Sequence, residues 1–207
     1  MRIGALLKQS FIDWDGYIVA VIFTKGCNFC CNYCHNPSLV LSQLLNESKD
    51  VSEEEVFDYL MKRKSWLDGV VVSGGEPTIH KDLKNLFIKI KSLGLKTKLD
   101  TNGTNPKILQ ELIQNKLIDF VALDIKTLLN KKDYASVANT ISDNTIKNIK
   151  SSLNILSRSE IKYQLRTTLI PSHHNMNIIN NLKISFTNEE NYIFQNYRNT
   201  DNVQNYI

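Results

Sequence analysis

Gly26-Cys27-Asn28-Phe29-Cys30-Cys31-Asn32-Tyr33-Cys34-His35-Asn36-Pro37 contains all four cysteines of this 207-residue chain. Cys27, Cys31 and Cys34 make the spacing CxxxCxxC, and Cys30 allows a second register of two CxxC pairs. Three thiolates from one short loop can hold three irons of a cubane [4Fe-4S] cluster, whose metal sites are filled by cysteine sulfur. The fourth iron is then open to a small molecule, which points to catalysis more than to architecture. Zinc is the competing metal, because two CxxC pairs supply four thiolates for a tetrahedral ion. Zinc modules usually set the pairs about a dozen or more residues apart so that two knuckles can converge, and the adjacent Cys30 and Cys31 argue against that. A thioredoxin-like motif would open a helix without two extra thiols.

Around this loop, apolar β-branched runs alternate with amphipathic segments, the order expected of strand and helix units around a parallel sheet. The strands are expected at Tyr17 to Phe23, Gly69 to Ser73, Leu95 to Asp100, Phe120 to Ile125, Ile161 to Ile170 and Tyr192 to Asn196. A short strand or hairpin precedes them. Ser52-Glu53-Glu54-Glu55 reads as a capping box, with Val51 and Val56 as its hydrophobic staple and Lys62-Arg63-Lys64 matching the dipole at the far end. Leu83, Leu86, Phe87, Ile90 and Leu93 recur at helical spacing before Gly94, Pro106 opens another helix, and Ile141 to Ser157 gives a fourth. The fold class is therefore α/β, with a single domain over residues 1–198 and a polar, poorly ordered tail over 199–207.

Lys and Arg number 25 against 21 Asp and Glu, for a net charge of +4, and they are scattered along the chain. Nucleic-acid binders concentrate such charge in a patch or stripe, so that class is not indicated. A basic face still suits an acidic protein partner such as an electron donor. The N-terminus is too weakly apolar for a signal peptide, and no stretch approaches the ~18 apolar residues of a membrane span. Clustered cysteines in a chain read as cytoplasmic indicate metal or redox chemistry rather than a disulfide framework.

Chemistry in parallel α/β folds collects at the carboxyl ends of the strands. Strand by strand, those ends here are the cysteine loop, Ser73-Gly74-Gly75-Glu76-Pro77, Asp100-Thr101-Asn102-Gly103, Asp124-Ile125-Lys126, and Arg166 within Leu165-Arg166-Thr167-Thr168. The Gly74-Gly75 pair lets a backbone run close to a ligand, and the Glu-Pro that follows fixes an extended turn. Alone, this segment reads equally as a plain turn; after a CxxxCxxC loop it reads as a ligand edge. Lys98 and Asp119 read as surface charges, and His80, His173 and His174 as solvated loop residues. His35 reads either as a donor to the cluster or cofactor or as a surface residue.

The cysteine loop, with Tyr33 before its last cysteine, and Gly74-Gly75-Glu76-Pro77 resemble the radical S-adenosylmethionine superfamily over nearly the whole chain. More narrowly, the runs Leu7 to Gly16, Val21 to Phe29 and Tyr33 to Pro37, with Asp-Thr-Asn-Gly, Asp-Ile-Lys and Arg-Thr-Thr-Leu-Ile-Pro, resemble anaerobic ribonucleoside-triphosphate reductase activating proteins, a group of glycyl-radical-enzyme activases. The resemblance implies a partial (β/α)6 barrel of mostly parallel strands. It implies that Cys27, Cys31 and Cys34 bind a [4Fe-4S] cluster and that S-adenosylmethionine chelates the open iron. Gly74, Gly75 and Glu76 would lie along the methionine amino group, Asp100, Asp124 and Lys126 would meet the methionine and ribose portions, and Arg166 the carboxylate side. A monovalent cation near Asp100, Thr101 and Asp124 is implied as well. Cys30 departs from the family pattern.

The implied activity is reductive cleavage of S-adenosylmethionine to a 5′-deoxyadenosyl radical, which abstracts hydrogen from a glycine of an anaerobic ribonucleotide reductase. A flavodoxin- or ferredoxin-type donor would supply the electron. The alternatives are a radical S-adenosylmethionine enzyme acting on a small molecule, such as a 7-carboxy-7-deazaguanine synthase, and a non-catalytic metal-binding module. The second leaves the strand-end motifs unexplained.

Overall fold

The computed structural model describes residues 1–47, 49–139, 141–186, 191–198 and 203–206. One seven-stranded sheet runs in sequence order: β1 (Ile3–Ser10), β2 (Val19–Thr24), β3 (Gly69–Gly74), β4 (Lys96–Thr101), β5 (Phe120–Asp124), β6 (Lys162–Leu169) and β7 (Tyr192–Asn196). β1 is antiparallel to β2, and every later pairing is parallel. Six consecutive parallel strands with helical crossovers make the expected partial (β/α)6 barrel, and β1 is the strand anticipated before them.

Alternation along the strands divides the two faces. Ala20, Ile22, Val70, Val72, Leu99, Val121, Leu123 and Leu165 belong to the main core, together with Val56 and Leu60 of α2 (Glu53–Arg63) and Leu86, Phe87 and Ile90 of α3 (Leu83–Ser92). Each such side chain, fully buried, contributes about 1.5–3 kcal/mol of transfer free energy. On the other face, Trp14, Val19, Val21 and Val71 form a small separate cluster. Beyond them this face carries Ser73, Lys98, Asp100, Asp124 and Arg166, which line a cavity. The helices thus take the apolar face and leave the polar one open.

The capping box forms as read: Ser52 Oγ accepts the Glu55 N–H at 3.0 Å at the start of α2. α4 (Pro106–Gln114) starts on its proline, and α6 (Thr145–Ser157) lies within the expected span. Three helices had no counterpart in the sequence reading: α1 (Pro37–Val40), α5 (Lys131–Ala138) and α7 (Met176–Ser185). Within the expected tail, Val203–Tyr206 are among the described residues. These residues form a 3-10 turn in which Val203 is buried and its N–H donates to the Cys34 carbonyl at 2.9 Å. Residues 199–202 and 207 of that tail lie outside the described residues.

Candidate active site

At the carboxyl end of β2 the chain leaves Thr24, turns at Gly26 (φ +96°) and enters the cysteine loop. The glycine pair at the end of β3 packs onto this turn. The Gly75 N–H donates to the Thr24 carbonyl at 2.9 Å and the Glu76 N–H to the Gly26 carbonyl at 2.8 Å. A Cβ on Gly75 would stand 2.0 Å from the Gly26 oxygen, and one on Gly74, at φ +113°, 2.3 Å from the Thr24 nitrogen. Real Cβ atoms do not approach so closely, so the pair is required first by the chain's own backbone. This refines the sequence reading, which assigned the close approach to a ligand.

The Glu76 side chain is likewise engaged within the protein. It is 1% exposed. Its Oε1 accepts from the Thr78 N–H at 3.0 Å, the Thr78 hydroxyl at 2.5 Å and the Thr101 hydroxyl at 2.7 Å, while Oε2 accepts from the Asn102 N–H at 2.7 Å. Burial pushes its carboxyl up and these donors pull it back. Each oxygen accepts a backbone N–H, which favours the ionised form against the burial that opposes it. The side chain ties the β3 and β4 loops together and leaves only main-chain groups of this turn for a ligand. A second tie joins the β4 loop to the cysteines: Asn102 Nδ2 donates to Asn28 Oδ1 at 2.8 Å, and Asn28 Nδ2 to Thr104 Oγ1 at 2.7 Å.

Across β4, β5 and β6 runs a row of alternating charge. Lys98 Nζ lies 3.2 Å from Asp100 Oδ1, Arg166 NH2 3.4 Å from Asp100 Oδ2, Arg166 Nε 2.9 Å from Asp124 Oδ1, and Lys126 Nζ 3.1 Å from Asp124 Oδ2. The parallel register creates it, since Asp124 pairs with Arg166 directly. Burial alone would raise the Asp124 carboxyl, but Arg166 and Lys126 outweigh it and hold the group at about 2. Lys98 is therefore not a surface charge: it is 5% exposed, bonded also to the Asp13 carbonyl. Asp119 is structural too, accepting from the Thr97 N–H at 2.7 Å and pairing with Lys91 at 2.8 Å.

Cys27, Cys31 and Cys34 line one cavity of about 2080 Å³ together with Gly74, Gly75, Glu76, Asp100, Asp124, Lys126 and Arg166. His35 lines it as well; Cys30 does not. The Cys30 backbone is turned to α5 instead, its N–H donating to the Ala138 carbonyl at 3.1 Å and its carbonyl accepting from Asn139 Nδ2 at 2.9 Å. The cysteines thus divide three and one, matching the CxxxCxxC register. Burial pushes the Cys27 thiol up to about 12 and Cys31 to about 11, with Lys126 pulling the other way. One buried and two half-buried thiols, one flanking ammonium and an open cavity suit a cationic cluster that takes them as thiolates.

The cavity also fits the cofactor's amino-acid end. Asp100 Oδ1 is buried and, although beside Lys98, receives no directed hydrogen bond. Around Asp100, Thr101 and Asp124, the residues implied for a monovalent cation, cationic side chains are already in place. The Arg166 guanidinium stands between Asp100 and Asp124, and the Thr101 hydroxyl is donated to Glu76. Sequence reasoning missed Tyr134 and His174, which bracket Lys126: the Lys126 N–H donates to Tyr134 Oη, and His174 Nε2 lies 3.0 Å from the Lys126 carbonyl. Among the described residues no helix is long and apolar enough to cross a membrane.

Residues 21–180 match the model of the Radical SAM superfamily. A protein of Methanocaldococcus jannaschii named as a glycyl-radical enzyme activating enzyme is 36% identical over 175 residues, covering 82% of this chain and 68% of that protein. The pyruvate formate-lyase-activating enzyme of Staphylococcus aureus is 34% identical over 122 residues, 54% of this chain and 48% of that enzyme. Among solved structures, anSMEcpe with bound AdoMet superposes with a TM-score of 0.63 at 16% identity, over 84% of this chain and 50% of that one. At that identity the likeness speaks for the fold. With the family model spanning most of the barrel, this chain belongs to the Radical SAM superfamily, whose members hold a [4Fe-4S] cluster and S-adenosylmethionine.

Proposed function

We propose that this enzyme activates a glycyl radical enzyme, specifically an anaerobic ribonucleoside-triphosphate reductase, by removing a hydrogen atom from a glycine Cα of that partner. The observation that supports it best is the single cavity that joins the three-cysteine loop to the strand-end polar row. Its volume of about 2080 Å³ exceeds the ~300–1,000 Å³ of ordinary small-molecule sites. That volume follows the open inner face of the sheet from the cysteine loop to Lys96 and Lys162 at the opposite strand ends, and this open side is where a segment of a protein substrate would enter. The relatives named as activating enzymes support the same class, and the sequence motifs narrow it to the reductase.

When bound, the cluster supplies the electron that cleaves S-adenosylmethionine to methionine and a 5′-deoxyadenosyl radical. The chain's own residues bind, orient and shield. Cys27, Cys31 and Cys34 would hold three irons; main-chain groups of Gly74, Gly75 and Glu76 and the Asp100 carboxylate would receive the cofactor's amino group. Lys126 and Arg166 would receive its carboxylate, as cationic donors already fixed by Asp124. Packing of the helices on the opposite face keeps that side dry. No general base is needed for hydrogen-atom abstraction, so the cofactor carries the chemistry and the protein the placement.

The reading places the enzyme in the cytoplasm, served by an acidic flavodoxin- or ferredoxin-type donor. The test is anaerobic reconstitution, reduction, and electron paramagnetic resonance with S-adenosylmethionine and a candidate reductase. A glycyl-radical doublet is the expected result. Release of 5′-deoxyadenosine without a doublet for any glycyl radical enzyme would move the assignment to a small-molecule substrate.

A further inference from the structure

Lys126 stands two residues past the end of β5, just after the ladder closes with the Ile125 N–H donating to the Arg166 carbonyl at 2.8 Å. Beyond that bond the sheet no longer fixes the chain. Yet both backbone polar groups of Lys126 are held. Its N–H donates to Tyr134 Oη at 3.0 Å, and its carbonyl lies 3.0 Å from His174 Nε2. The tautomer follows from the other ring nitrogen: His174 Nδ1 accepts the Ile170 N–H at 2.9 Å, so the proton is on Nε2 and is donated to Lys126. Tyr134 is fully buried and His174 nearly so, and neither lines the cavity.

We propose that Tyr134 and His174 are positioning residues that clamp the Lys126 backbone from both sides, holding its ammonium between the cysteine loop and Asp124. From that clamp the ammonium reaches Asp124 Oδ2 at 3.1 Å and stands 6.0 Å from the Tyr33 ring centroid. The helix that carries Tyr134 carries the cysteine loop as well: α5 takes the Cys30 N–H on Ala138, and the Asn139 side chain beyond it donates to the Cys30 carbonyl. The Phe29 ring lies 6.3 Å from that of Tyr134. One short helix therefore sets the spacing between cluster loop and ammonium, with His174 closing the clamp from the loop after β6. The clamp rests on the cofactor reading above and deepens it.

The experiment is equilibrium dialysis of S-adenosylmethionine against reconstituted enzyme, with iron content and melting temperature measured alongside. Tyr134→Phe keeps the ring and removes the bond to Lys126. It is expected to weaken binding about fivefold, the weight of one neutral hydrogen bond, with iron unchanged. His174→Phe should do the same, while His174→Gln, still a donor to the carbonyl, should stay close to wild type. Because both act through one residue, neither Tyr134→Phe nor His174→Phe should weaken binding further in a Lys126→Met background. Wild-type affinity in Tyr134→Phe and His174→Phe would overturn the clamp, and so would equal losses with and without Lys126. Wild-type protein that holds iron but binds no S-adenosylmethionine overturns the cofactor reading and this proposal with it.

Discussion

Glu76→Gln separates a carboxylate that holds two loops from one that touches cofactor. The substitution keeps volume and shape, and the amide oxygen can still take the three donors now on Oε1. The amide nitrogen then faces the Asn102 N–H, which at present donates to Oε2 at 2.7 Å. One charge-assisted bond is lost and its buried donor is left without a partner, about 1.5–3 kcal/mol for the one contact. In a chain of this size that lowers the melting temperature by about 3–12 °C, at about 2–4 °C per kcal/mol. The assay is thermal unfolding of the apoprotein, followed by S-adenosylmethionine binding to reconstituted enzyme at a temperature where the variant stays folded. The expected outcome is the full drop in melting temperature with affinity little changed. An unchanged melting temperature together with lost affinity would refute the reasoning and assign the side chain to the cofactor.

Replacing Cys27, Cys31 or Cys34 by Ala is expected to abolish cluster assembly, whereas Cys30→Ala keeps it, because Cys30 alone lies off the cavity; iron and sulfide content decide, and an iron-replete Cys31→Ala protein would break the assignment. Exchanging potassium or sodium for tetramethylammonium should leave S-adenosylmethionine affinity unchanged, since Arg166 already bridges Asp100 and Asp124. A loss restored by potassium would establish the cation site. For Asp124, Arg166 and Lys126 overcome burial and hold the folded-state carboxyl at about 2, below its unfolded value of 3.8. The unfolded chain then takes up the proton first, so the stabilisation is complete above about pH 5 and fades as pH falls through about 2. The melting-temperature gap between wild type and Asp124→Asn should accordingly narrow steadily on acidification, and a gap constant with pH would count against the ion pairs.

Local chemistry explains what was legible beforehand. Each parallel strand is a short β-branched or apolar run, and the polar group at its carboxyl end sits within a few residues, so the fold and the residues that line the cavity could be read together from Cys27 to Arg166. Helices α5 and α7 escaped because they bury little: Tyr134, Val137 and Ala138 in one, Leu182 in the other. Lys98 was misread although its position carried the signal, since it stands two residues before Asp100 on β4 and must share its face.

His174 failed for a different reason. Adjacent histidines in a polar loop are ordinarily solvated, and only tertiary structure could bring the Ile170 N–H and the Lys126 carbonyl to opposite sides of one ring. The glycine pair shows the same limit from the other direction. Its need for hydrogen in place of a side chain was legible, but the atom that enforces it, the Gly26 oxygen 2.0 Å from a would-be Cβ, lies 49 residues back along the chain. The sequence motif looked like a surface shaped for a ligand; it is first a seam that locks the cysteine loop onto β3. On the proposed reading a ligand held there inherits its position from that seam, so the cluster and the cofactor's amino-acid end would be registered to each other by backbone contact before either is bound.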